Sequence, residues 1–400
     1  MISHKGVPAA CDEGGFSAIE LLIAVGILLV VTGSIFSLLS PAHGAFQAEP
    51  ELSDMQQRLR VSAGTLYKDL LMAGAGSDLG VQAGSLGDYF APVLPFRQGY
   101  ENGDAPGVFR SDTITVLYVP RTASQTIIGQ PARAQSGPVS LTMGPGCPSG
   151  DPSCGFTQSM TMAMYDVTGS YSVFTVAGVQ GAELTLRHNQ VDSARSYEPG
   201  TKIAELESVT YWLNAATHQL MHYDGSRSDV PVADNVVFLA FEYYGEAQPP
   251  ALKNPGGDES MTYGPRPPPA GVQAGSYWPA GESCTVRIVS GEQTSRLTML
   301  EANRENKENK ENKEIVPLDQ AMLTDGPWCP DPADPNRWDA DLLRVRRIGV
   351  TVRVQSAIAA LRGRSGLLFK NPGTATSANR TLPDQEIRFA VTPRNLGLAR

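Results

Sequence analysis

The sequence predicts an α+β protein in which a long N-terminal helix, membrane-spanning and then amphipathic, packs on an antiparallel β-sheet domain carrying long insertions. Three observations predict it. From Phe16 to Ser40 the chain carries a single charge, Glu20. Leu52, Met55, Leu59, Ala63, Leu66 and Leu70 then recur at steps of three and four, which places them on one face of a helix. Beyond Gly76 the period changes to short β-branched and aromatic runs separated by Gly, Pro, Asn and Asp, the pattern of strands and turns.

The first element is long enough to cross a bilayer, since 25 residues at about 1.5 Å each exceed a hydrocarbon core of roughly 30 Å. Glu20 within it is an anomaly. A carboxylate in such a helix costs on the order of 2.5–3.5 kcal/mol, so it calls for a partner, and the expectation is that its own helix supplies none. Pro41, Gly44 and Pro50 are expected to interrupt or kink the path into the second, amphipathic stretch. That stretch should stop near Gly74 and Gly76, and its apolar stripe needs a sheet to cover it.

Candidate strands follow at 113–119, 161–167, 171–179, 183–188, 209–213, 219–223, 236–244, 285–289, 343–354 and 386–391. The runs 209–213 and 219–223, joined across Asn214-Ala-Ala-Thr217, read as a hairpin. Residues 303–314 repeat with a period of three, ending in Asn-Lys-Glu units. That period fits neither helix nor strand and predicts a solvent-exposed loop.

A chain of 400 residues with 41% hydrophobic residues, 40 glycines and 30 prolines suits a folded, loop-rich, mostly β body. A net charge of −9 without a basic cluster argues against nucleic acid as partner. Cys147, Cys154, Cys284 and Cys329 are expected to form disulfides outside the cytoplasm. The turn-rich spacer of the first two favours Cys147–Cys154 with Cys284–Cys329, loops worth roughly 2.5 and 4 kcal/mol in the chain-entropy model. The spacings lack the paired C-x₂-C pattern of a zinc site.

Two metal readings each fall short of a complete ligand set. His218 and His222 share parity on one predicted strand but have no third ligand. Asp331, Asp334, Asn336, Asp339 and Asp341 offer oxygens to calcium without the glycine and terminal glutamate of an EF-hand loop. No Gly-x-Ser-x-Gly, P-loop or His-Glu-x-x-His motif occurs, so no catalytic residue and no cofactor is expected and the chain does not read as an enzyme.

The run Gly15-Phe16-Ser17-Ala18-Ile19-Glu20-Leu21-Leu22-Ile23-Ala24-Val25 resembles the class III signal of type IV pilins and type II secretion pseudopilins. The resemblance implies that a prepilin peptidase cuts after Gly15 and methylates the new amino group of Phe16. It also implies that Glu20 pairs with the terminal amine of a neighbouring subunit during assembly, which would answer the anomaly of the buried acid. The leader departs from the family in having Asp12-Glu13 ahead of the glycine and Lys5 as its only basic residue.

The hairpin, the run 232–244, and the closing runs 342–354 and 385–395 with a terminal Arg394-Asn395 are similar to PilW-type minor pilins. The family pattern implies a leader at 1–15, a transmembrane helix at 16–40, an amphipathic helix at 41–76 and a periplasmic β-rich domain at 77–400. The stretches 77–206 and 246–341 carry no resemblance and read as insertions, the second loop-rich. Implied partners are the inner membrane, other minor pilins, the major pilin and a tip adhesin; implied locations are the inner membrane and the pilus tip. A J-type pseudopilin of type II secretion, which is normally much shorter, and a signal-anchored envelope binding protein or enzyme are the alternatives.

Overall fold

One helix of 55 residues, Ala18–Met72, opens the computed structural model, which describes residues 17–76, 85–97, 109–122, 124–144, 147–166, 171–189, 196–225, 228–246, 269–272, 279–282, 286–295, 315–324, 340–363, 368–369, 373 and 382–396. The expected interruption is absent, for the helix passes through Pro41, Gly44 and Pro50 without a break. Each proline removes its own backbone donor and crowds the carbonyl four residues earlier, yet the helix is continuous across both.

The helix has two unlike halves. Ala18–Ser37 has a mean hydropathy of 2.5 and nothing buried, and is long and apolar enough to cross a membrane. In the second half Met55, Leu59, Leu66 and Leu70 are buried, with Ser62 on the same face, while Leu52 packs at the edge of the core. The predicted stripe is therefore the buried one. The helix ends at Ala73, and Gly74 turns the chain at φ +78°. A Cβ on Gly74 would come within 2.8 Å of Leu396 Cδ2, so this reversal requires glycine on both conformational and steric grounds.

The rest of the described structure is mostly antiparallel β-sheet. A five-stranded sheet runs in the order Val93–Leu94, Thr113–Tyr118, Glu207–Asn214, Gln219–Tyr223, Asp229–Asp234. A four-stranded sheet runs Ile315–Leu318, Val236–Glu246, Val345–Val354, Gln385–Val391. The predicted hairpin forms, with Asn214 opposite Gln219 and the Asn214 side chain accepting from the Ala216 and Thr217 backbone. The buried helix face shares one core with residues of both sheets, among them Ile114, Val116, Tyr211, Leu220, Val350 and Val352.

The neighbouring strands Thr113–Tyr118 and Glu207–Asn214 are registered Trp212 to Thr113 and Glu207 to Tyr118, and the chain between them folds into a closed six-stranded barrel. Its order is Lys202–Glu205, Gln125–Ile128, Gly137–Thr142, Glu183–His188, Tyr171–Gln180, Thr161–Tyr165, closed by Lys202–Glu205 pairing back onto Thr161–Tyr165. The insertion expected over 77–206 is thus largely an ordered barrel with its own core of Met162, Met164, Phe174, Val176, Leu184, Leu186 and Ile203. Strand alternation divides its residues between two cores. Ala163, Tyr165, Tyr171 and Val173 belong instead to the main core, where Phe90 stacks on Tyr171 with ring centroids 4.1 Å apart.

Cys147 and Cys154 are bonded, with S–S 2.00 Å, as the spacing predicts. Gly15, Phe16, Cys284, Cys329, the 303–314 repeat and Asp331, Asp334, Asn336 and Asp339 lie outside the described residues. Asp341 falls in a short 3₁₀ turn, Ala340–Arg344.

Candidate functional site

The start of the helix is the first candidate. Ser17 is its N-cap, with extended backbone at φ −76° and ψ 148°. The Ser17 hydroxyl accepts from the Glu20 N–H at 3.3 Å, and the Ser17 N–H donates to Glu20 Oε2 at 2.9 Å. This reciprocal pair is a capping box, and it corrects the expectation that the helix offers Glu20 nothing. The helix supplies a neutral hydrogen-bond donor, which satisfies one lone pair of the carboxylate but brings no opposite charge. Ser-x-x-Glu ahead of an apolar run was the sequence signal for it.

Farther along, the packed half of the helix is fastened to the β-rich body at two levels. At its lower level Glu51 accepts from the Ala357 N–H at 2.6 Å, and Arg58 donates to the Gln355 carbonyl at 3.2 Å while pairing with Glu51 at 3.2 Å. At its upper level Asp69, buried, receives the Tyr211 hydroxyl at 2.5 Å and the Tyr118 hydroxyl at 3.2 Å. Burial first, and then the nearby Asp69 charge, push both phenols well above the ordinary tyrosine range. Both tyrosines therefore stay protonated donors and Asp69 keeps its acceptors filled. Glu207 lies beside this latch, and its carboxyl is raised by partial burial and then by the charges of Glu205, Asp69 and Asp224, against an opposing pull from Lys68.

On the other side of the five-stranded sheet, Arg97 pairs with Asp229. Its guanidinium lies over Tyr223 at 4.3 Å and Trp212 at 5.1 Å, and Trp212 Nε1 donates to Asp229 at 3.0 Å. These contacts clamp the edge strand Asp229–Asp234 to its sheet. Glu51, Arg58, Asp69, Arg97 and Asp229 thus hold elements of the described body together.

His218 and His222 do not share a strand. His218 sits in the hairpin turn at φ +54°, one residue before the strand Gln219–Tyr223, while the His222 ring packs edge-on against Tyr211 at 5.2 Å. Among the described residues no group of three His, Cys, Asp or Glu side chains could hold a metal ion. No protein-family model matches the chain, and no curated protein matches it.

Proposed function

We propose that this chain is a membrane-anchored subunit of the type IV pilin class, of the PilW-type minor pilin kind, with a structural rather than an enzymatic role. The observation that carries the reading is the division of a single helix. Ala18–Ser37 has no intramolecular cover, whereas residues 55–70 of the same helix are built into a β-sheet core. A helix so divided is a rigid stalk that presents its bare half to a bilayer or to the helices of neighbouring subunits.

Glu20, placed five residues past Gly15, supports the reading from the chemical side. Ser17 and Glu20 are both exposed, so a terminal amine from another subunit has access to the carboxylate. Pairing would lower the cost of carrying both charges into hydrocarbon. On this reading the chain is cut after Gly15, methylated at Phe16 and held in the inner membrane with its β-rich body in the periplasm. It then joins other minor pilins, and a tip adhesin, in the complex that starts a pilus.

Affinity capture of the tagged full chain from detergent-solubilised envelopes, followed by mass spectrometry of sheared surface filaments, tests it. Co-capture of pilin-type subunits and recovery of the chain in the sheared fraction is the expected result. Recovery only as a solitary envelope protein would reject it.

A further inference from the structure

From Leu21 to Ala48 the helix carries no Asp, Glu, Lys or Arg, a stretch of 28 residues between Glu20 and Glu49. Its rise is about 42 Å, which matches a bilayer of about 40–45 Å with both headgroup layers included. The β-rich body begins where that length ends. Among the residues whose side chains are described, Ala48 and Leu52 are the first of the helix packed against the core, and the Glu51 to Ala357 and Arg58 to Gln355 bonds tie the 355–357 turn to this level. Sheet register brings the hairpin turn to the same end, since the Gln355 N–H donates to the Asn235 carbonyl and the Val236 N–H to the His218 carbonyl.

This end carries uncovered apolar side chains. Outside the bare segment of the helix, Phe46 (75% exposed) and Leu368 (63%) are the most exposed large apolar residues among those described, and Ile358 is 41% exposed. Arg362 holds the turn next to Ile358 by donating to the Ser356 and Ala357 carbonyls. The neighbour of Leu368, Phe369, rests on the Arg353 guanidinium at 3.9 Å. Outward apolar side chains next to an arginine, set one bilayer length from the opposite end of the helix, have the chemistry of a membrane interface.

We propose that this end of the body rests on the lipid surface, with Phe46, Ile358 and Leu368 entering the headgroup layer; the proposal rests on the reading of the helix as membrane-spanning. The contact sets the tilt of helix and body together in the bilayer and has to be given up when the subunit leaves it.

The test uses the full chain in lipid nanodiscs of phosphatidylcholine with brominated acyl chains, which quench tryptophan, against the same lipid without bromine. Three variants, Val30→Trp in the bare helix, Leu368→Trp at the proposed contact and Met143→Trp on the barrel, are read as emission added over the parent chain. Ile358→Trp provides a second probe of the contact. The expected result is loss of the added emission at 30, 368 and 358 and its retention at 143. Quenching at 30 with none at 368 and 358 overturns the contact and leaves the membrane reading standing. No quenching at 30 overturns both, and equal quenching at 143 and 368 overturns the assigned orientation.

Discussion

The Tyr211 hydroxyl donates to the Asp69 carboxylate at 2.5 Å, and this contact joins the N-terminal helix to the centre of the five-stranded sheet. Both residues are buried, so removing the donor leaves the charge with the longer Tyr118 bond. Tyr211→Phe is expected to lower stability by about 2 kcal/mol, and Tyr118→Phe by less. Denaturant unfolding of the full chain in detergent measures both. Equal, negligible losses would show that the latch does not hold the helix.

Glu207 gives the pH dependence near the same latch. Its carboxyl is raised in the folded chain, so the folded state holds its proton more tightly than the unfolded state does. The stability this contributes is fully present below the ordinary glutamate range and is lost as pH rises through the raised value. Glu207→Gln is therefore expected to match the parent at pH about 3 and to be the more stable of the two at pH 7, in thermal melts at both pH values. A variant less stable than the parent at neutral pH would reverse the assignment.

Cys147–Cys154 closes a short loop on the barrel, and Cys154 is part of the barrel core. Replacing both cysteines by serine is expected to cost roughly 2.5 kcal/mol, felt within residues 125–205. Hydrogen exchange should quicken there while the amides of residues 55–70, in the other core, stay protected. Uniform loss of protection would mean that barrel and helix–sheet body unfold as one unit.

The helix was legible because Met55, Leu59, Leu66 and Leu70 obey a local period and the structure buries all four. The hairpin was legible because its turn is short and its strands carry β-branched and aromatic residues. The barrel was not. Gly137–Thr142 opens on Gly-Pro and Lys202–Glu205 has only four residues, while closure depends on pairing Lys202 with Tyr165 and with Ile127, contacts that no local pattern encodes. Asp229–Asp234 was missed because Pro231 masks an edge strand, where proline is tolerated. Asp69 as a latch was hidden for another reason. Its partners Tyr118 and Tyr211 lie 49 and 142 residues away.

Glu20 separates a local from an intermolecular role. Glu20→Gln keeps an oxygen acceptor for the Ser17 N–H and removes the charge, while Glu20→Val removes both. If pairing with a neighbour's amine matters, both variants should be cleaved and membrane-retained yet lost from the assembled complex. Breaking a buried pair costs about 3–5 kcal/mol, enough to lower incorporation more than about a hundredfold. Normal co-capture of Glu20→Gln alongside failure of Glu20→Val would assign Glu20 to the helix cap alone.

The most direct test of the pilin-class assignment is the N-terminus of the mature chain, isolated from cells with and without an active prepilin peptidase and read by intact mass and terminal sequencing. The account predicts a chain beginning at Phe16 with a methylated amine when the peptidase is active, and an unprocessed chain when it is absent. A mature chain that begins elsewhere, or processing that does not depend on the peptidase, would contradict it.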